Sequence, residues 1–288
     1  MFLIEQLTNL AVPYSVLLIA MAITVFKPKY WFFAMLTTLI LGYLYQTIQL
    51  IGMVYLGVAF AVSFWQQKSS GVLQHVLRFI IIVFCIALAI HQIPGFNNLP
   101  VIDNSQKGPL SMPFTLYLNW DKPFILFLLL ALFPTLFERL NPQLPAWLKQ
   151  KTAQSLLFLF IPVAIFGLAM TANLITWELR LPNWWWLFAL NNLILTCVVE
   201  EVFFRGFILK SLTEKAPAVL ALLISSILFG AAHFAGGADY MLVATCAGAL
   251  YGLVYLISGQ LRYAIFAHFS INFIHLAFFT YPMLNHTL

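Results

Sequence analysis

Apolar runs of membrane-spanning length follow one another along almost the whole chain. They fall at about 9–26, 31–45, 50–65, 74–93, 123–138, 155–177, 184–209, 216–234, 240–258 and 261–280. A bilayer core about 30 Å thick is crossed by roughly 20 apolar residues in a helix. Backbone in hydrocarbon must also satisfy its own hydrogen bonds. The chain is therefore expected to be all-α: a polytopic membrane helical bundle of about ten transmembrane helices. Composition agrees, with 62% hydrophobic and only 8% charged residues, where a soluble domain carries roughly 25% charged residues.

Lysine and arginine placement tests the map. With the N-terminus outside, cytoplasmic turns hold Lys27, Lys29, Lys68, Arg78, Arg139, Lys149, Lys151, Lys210, Lys215 and Arg262, against Lys107, Lys122 and Arg180 outside. The positive-inside rule thus favours ten spans with both ends outside, in a plasma membrane of the bacterial inner-membrane type. Ala20-Met21-Ala22 resembles a signal-peptide cleavage site. However, Glu5 precedes it, no basic residue does, and the apolar run continues to Phe26. A retained first helix is expected. The loop at about 94–122 reads as a flexible connection or a lid. Residues 1–150 supply about five N-terminal helices, and 151–288 a C-terminal helical core. The net charge of +5 is scattered through short loops, which excludes a nucleic-acid surface. Cys85, Cys197 and Cys246 all lie in apolar runs and read as small buried hydrophobes.

Ionisable groups at membrane depth are expensive and face a protein interior or a wet cavity. The seventh run carries three of them in Thr196–Gly206, TCVVEEVFFRG. Glu201 and Arg205 are four apart with the acid N-terminal to the base, the better orientation for a helical pair. Glu200 lies about 100° round the helix, in line with Thr196 and Asn192 and without a local cation, which suits a general base or acid. The eighth run places Ser226 and His233 on one face. The tenth places His268 and Asn272 four apart, with His275 roughly continuing, a possible donor pair for an oxyanion. Gly248 and Gly252 form a GxxxG pattern and read as helix packing. Concentration of these groups in the C-terminal hundred or so residues points to one wet cavity. Counting about 1.5 Å per residue from the cytoplasmic turns puts Glu200 about 20 Å deep, His268 about 10 Å, Asn272 about 16 Å and His233 about 25 Å. The groups straddle the midplane without coinciding.

Glu200-Glu201-x-x-x-Arg205, Phe229-x-x-x-His233 and His268-x-x-x-Asn272, in order on three hydrophobic helices, together resemble the three motifs of the CPBP intramembrane proteases. These are the CAAX-processing and bacteriocin-processing type, also called the Abi family. The resemblance covers about Asn192–His275 and makes 151–288 the catalytic core. It implies a glutamate-dependent peptidase acting on a protein or peptide in or at the bilayer. Carried over by position, Glu200 with His233 would activate water, His268 and Asn272 would stabilise the oxyanion, and Glu201 and Arg205 would support the site. Glu200, His233 and His268 could in principle hold zinc with an open position. The chain has no HExxH pair, and a metal-free mechanism without a cofactor is preferred. The alternatives are a non-catalytic family member, such as an immunity or assembly factor, a zinc-dependent intramembrane protease, and a transporter with an ion-pair gate. Absence of visible inverted repeats weakens the last.

Overall fold

The computed structural model describes residues 2–286, with side chains from residue 11 onward. Each expected segment holds a helix: α1 (Phe2–Phe26), α2 (Trp31–Leu44), α3 (Leu50–Lys68), α4 (Gly71–Ala89), α5 (Pro123–Leu132), α6 (Lys151–Thr171), α7 (Trp185–Thr213), α8 (Ala218–Ala231), α9 (Ala238–Ser258) and α10 (Leu261–Phe278). By length and composition five of them, α3, α4, α6, α7 and α9, can cross a membrane. The apolar stretch Ala11–Phe26 of α1, together with α5 and α8, is shorter. In α10 the polar Arg262, His268, Asn272 and His275 dilute an otherwise apolar helix of 18 residues. The chain is thus a multi-pass all-α membrane bundle.

The sixth helix runs Lys151–Thr171 instead of about 155–177, and two further segments differ from expectation. The fifth helix stops at Leu132 instead of about 138. Pro134 follows, and a residue before proline is pushed out of the helical region; Phe133 sits at φ −132°, ψ 85°. The 94–122 connection contains two short strands, β1 (Leu99–Ser105) and β2 (Phe114–Leu118), which pair as a sheet. Its sequence alternates too weakly to show this against the turn residues around it.

The chain divides into two compact units. The first comprises residues 1–101, 116–137 and 194–199. Its centre is α5, every residue of which is buried, as befits a helix apolar on all sides; α2, α3 and α4 pack on it. Gly52 and Gly95 let backbone meet backbone there: a Cβ on Gly52 would lie 2.7 Å from the Gly95 carbonyl oxygen. Buried hydroxyls are satisfied within their own helices, Thr24 donating to Ala20 O (2.7 Å) and Ser63 to Ala59 O (2.9 Å).

The second unit comprises residues 102–115, 138–193 and 200–288. Helix α9 is its hub, packing on α6, α8 and α10, while the 202–209 part of α7 packs on α8 and α10. Gly230 in α8 brings that helix against α9, since a Cβ there would run into Thr245 and the Met241 carbonyl. The 102–115, 174–184 and 278–285 segments knit together through polar contacts. Lys107, only 2% exposed, donates to the carbonyls of Glu178 and Phe279. The Glu178 carboxylate accepts from the Leu110 N–H and the Ser111 hydroxyl, and Ser111 Oγ accepts from the Tyr281 N–H.

Burial pushes the Lys107 ammonium down from the usual 10.5 to about 8, with Glu178 opposing the shift. An unfolded chain keeps that proton up to the ordinary lysine range. Between about pH 8 and about pH 10.5 the unfolded state therefore binds more protons, and stability contributed by this group rises with pH. Thermal unfolding in detergent at about pH 7 and about pH 10 should show the rise in wild type and a smaller one in Lys107→Met. Identical pH responses would remove Lys107 as its source.

Candidate functional site

Helix α7 is not a uniform α-helix. Residues Asn192–Cys197 and Val202–Leu209 are π-helical, flanking the α-helical turn Val198–Glu201. Such i→i+5 segments recur at functional sites. Faces and depths counted on regular 100° steps and 1.5 Å rises therefore do not carry over unchanged to α7.

The two glutamates have different surroundings. The Glu201 side chain is 0% exposed and that of Glu200 29%. Arg205, also fully buried, donates from Nη1 to Glu201 Oε1 (3.0 Å) and from Nη2 to the Gly248 carbonyl (2.8 Å). Its guanidinium lies over the Phe229 ring at 4.5 Å and 5.4 Å from that of Tyr251. A carboxylate, a carbonyl and two π faces offset the desolvation of the cation. Gly248 makes room for it: a Cβ would sit 3.2 Å from Nη2 and 3.1 Å from Phe229 Cδ1. The GxxxG pattern is thus more than packing at Gly248, whereas Gly252 does pack on Leu222.

Glu201 is also more than the partner of Arg205. Its Oε1 accepts a second hydrogen bond, from His268 Nδ1 at 2.8 Å. A carboxylate paired with arginine only accepts, so Nδ1 carries the proton. The other ring nitrogen, Nε2, lies 3.9 Å from Glu200 Oε2. Arg205, Glu201, His268 and Glu200 therefore form one chain of charge running from a sealed interior to a half-exposed carboxylate. Glu200 and His268 are in contact, where the regular-helix count set them about 10 Å apart in depth.

His233 and Asn272 are held by other partners. His233 Nδ1 donates to the Phe229 carbonyl at 2.8 Å, leaving Nε2 as an acceptor. Its ring packs on Phe229 (4.8 Å) and Tyr240 (5.8 Å). Phe229 also meets the His268 ring, at 5.6 Å, so both histidines rest on one aromatic side chain. Asn272 Nδ2 donates to Asn192 Oδ1 at 3.2 Å. Ser226 donates to the Leu222 carbonyl, and His275 hydrogen-bonds with Thr280 O; neither contact involves the charge chain. Nothing in the residue pattern singles out Tyr251, which stacks on His268. An aromatic inside an apolar run reads as core until its partner is known. Among the described residues no group of three or more His, Cys, Asp or Glu side chains is placed so as to hold a metal ion.

These features define a helical membrane protein with an acid–histidine–arginine cluster buried at one end of its chain. A family model described as Type II CAAX prenyl endopeptidase Rce1-like matches residues 182–274, from the start of α7 through the charged part of α10. Over those residues, about a third of the chain, the sequence is similar to that family, in agreement with the CPBP resemblance carried by its three motifs. No curated protein and no solved structure matches the chain.

Proposed function

We propose that this chain is an intramembrane endopeptidase that hydrolyses a peptide bond in a membrane-associated protein or peptide by glutamate-activated water. One observation carries the reading above the rest. The buried Arg205–Glu201 pair holds His268, whose free nitrogen faces the half-exposed Glu200. A salt bridge serving only to join helices has no use for a histidine and a second, accessible carboxylate at its end.

In this mechanism Glu200 removes a proton from water, and His233 Nε2 is the second acceptor that orients it. The hydroxide attacks the carbonyl carbon. The oxyanion is met by N–H donors, protonated His268 Nε2 and the Asn272 amide. Glu200 returns its proton to the departing amine nitrogen, so proton and charge balance over the cycle. No step requires a metal. The chain spans the membrane with both termini outside, a topology supported by its lysine and arginine asymmetry. All ten helices belong to the crossings, with α5 supplying about 15 Å of helix and covering half of one.

The matching model names prenyl endopeptidases; for this chain the substrate class is a membrane-anchored peptide, prenylated or not. The test uses protein reconstituted in liposomes with two probes, a farnesylated CAAX peptide and an unprenylated single-span peptide. Mass spectrometry of the products is expected to show one internal cleavage. Chelators should leave the rate unchanged. Binding without cleavage of either probe or of the membrane proteome would overturn the peptidase reading. Loss on chelation with recovery on zinc would overturn the metal-free mechanism alone.

A further inference from the structure

We infer that Tyr251 is a positioning residue for the proposed reaction: its ring fixes the plane of the His268 imidazole and so aims Nε2 at Glu200. The inference rests on the function proposed above and adds a residue outside all three motifs. A hydrogen bond from Nδ1 to Glu201 anchors one corner of the imidazole but leaves the ring free to swing about it. The Tyr251 ring removes that freedom. It lies parallel to the imidazole, with centroids 4.4 Å apart and 13° between planes. Phe229 closes the ring edge-on, at 5.6 Å and 81°. A line and a plane together determine where Nε2 points, and it points to Glu200 Oε2 at 3.9 Å.

Tyr251 is suited to this by its own rigidity. It is 1% exposed, on α9 in the core formed with Phe204, Phe229 and Ile271. The Arg205 guanidinium lies 5.4 Å from its ring, so the same side chain touches the support of Glu201 and the histidine that Glu201 holds. Packing alone would be served by any large apolar residue, and it would not require a ring parallel to the imidazole that lies 3.9 Å from Glu200.

Two substitutions separate these roles in full-length protein reconstituted in liposomes and assayed with whichever anchored peptide the wild type cleaves. Tyr251→Phe keeps the stack and is expected to stay within about threefold of wild-type kcat. Tyr251→Leu keeps the apolar bulk but loses the plane; kcat should fall about 10- to 100-fold with KM little changed, and the pH–rate profile should shift. Folded Tyr251→Leu with wild-type kcat, or a change confined to KM, would overturn the inference. Equal damage from Phe would move the role to the hydroxyl and overturn it as well. A direct reading needs neither activity nor the leucine variant. In histidine-labelled protein, with His268 assigned by loss of its signal in His268→Gln, stacking should move the His268 ring protons upfield in wild type and Tyr251→Phe. Signals at the positions of an unstacked imidazole would overturn the inference. If wild type cuts nothing, the protease reading falls while this NMR result still decides the placement of His268.

Discussion

Glu200→Gln is expected to lower peptide hydrolysis by about 10²–10⁴-fold in protein that is otherwise folded. The amide has the size of the carboxylate and can still hydrogen-bond, but it cannot take a proton from water. Stability should hold, because Glu200 is 29% exposed and makes its contact with His268 at 3.9 Å rather than at hydrogen-bond distance. Substitutions at such positions usually stay within about 0.5 kcal/mol. The change should appear in kcat, with KM for the anchored peptide retained, since the base acts in the transition state and not in binding. His233→Ala removes an acceptor for water and not the base, so it should cost less. Size exclusion and thermal unfolding in detergent establish that the variants are folded. Wild-type turnover by well-folded Glu200→Gln would end the glutamate mechanism. A greater loss from His233→Ala than from Glu200→Gln would transfer the base to the histidine.

Much of this architecture was visible in the residues because membrane helices are written in long, simple patterns. Each of the ten apolar runs holds a helix, and the boundaries of α2, α9 and α10 fall within about two residues of those drawn from the sequence. What escaped is local and depends on partners. The end of α5 at Leu132 follows from Phe133 preceding Pro134, a signal present in the sequence but outweighed by the apolar residues beyond it. The β1–β2 pair lies among turn residues that hide its alternation. In the candidate site the i,i+4 spacing was enough to pair Glu201 with Arg205 and to set Glu200 on another face. It could not show the π segments of α7, because a π turn is a choice of hydrogen-bond partner and not of residue type. Nor could it show that His268 lies beside Glu200, since that depends on how α10 meets α7. Gly248 read as packing, and Tyr251 did not stand out at all, for the same reason: their surroundings are visible only once Arg205 and His268 stand next to them.

Arg205→Met should destabilise the folded protein by about 3–5 kcal/mol, because it leaves Glu201 as an uncompensated buried charge. Glu201 is 0% exposed, its Oε2 has no hydrogen-bond partner, and the Gly248 carbonyl would lose its donor as well. The effect should show as a lowered unfolding temperature and a smaller yield of monodisperse protein. A second variant distinguishes stranding a charge from losing an attraction. Glu201→Leu with Arg205→Met removes both charges, and an ion pair exchanged for apolar residues of similar bulk is often neutral. This double variant still leaves His268 Nδ1 buried without its acceptor, about 1–3 kcal/mol, and takes the Arg205 donor from the Gly248 carbonyl. Its stability should accordingly lie at or above that of Arg205→Met, and the two substitutions should be strongly non-additive in a double-mutant cycle. Hydrolysis should not return with stability, because nothing then anchors the His268 ring. Restored stability without activity separates the two functions of Glu201, charge partner to Arg205 and anchor for His268. Additive losses would mean that the pair contributes little coupling. A stable and active double variant would mean that His268 finds its orientation without Glu201, and the charge chain behind Glu200 would then be structural.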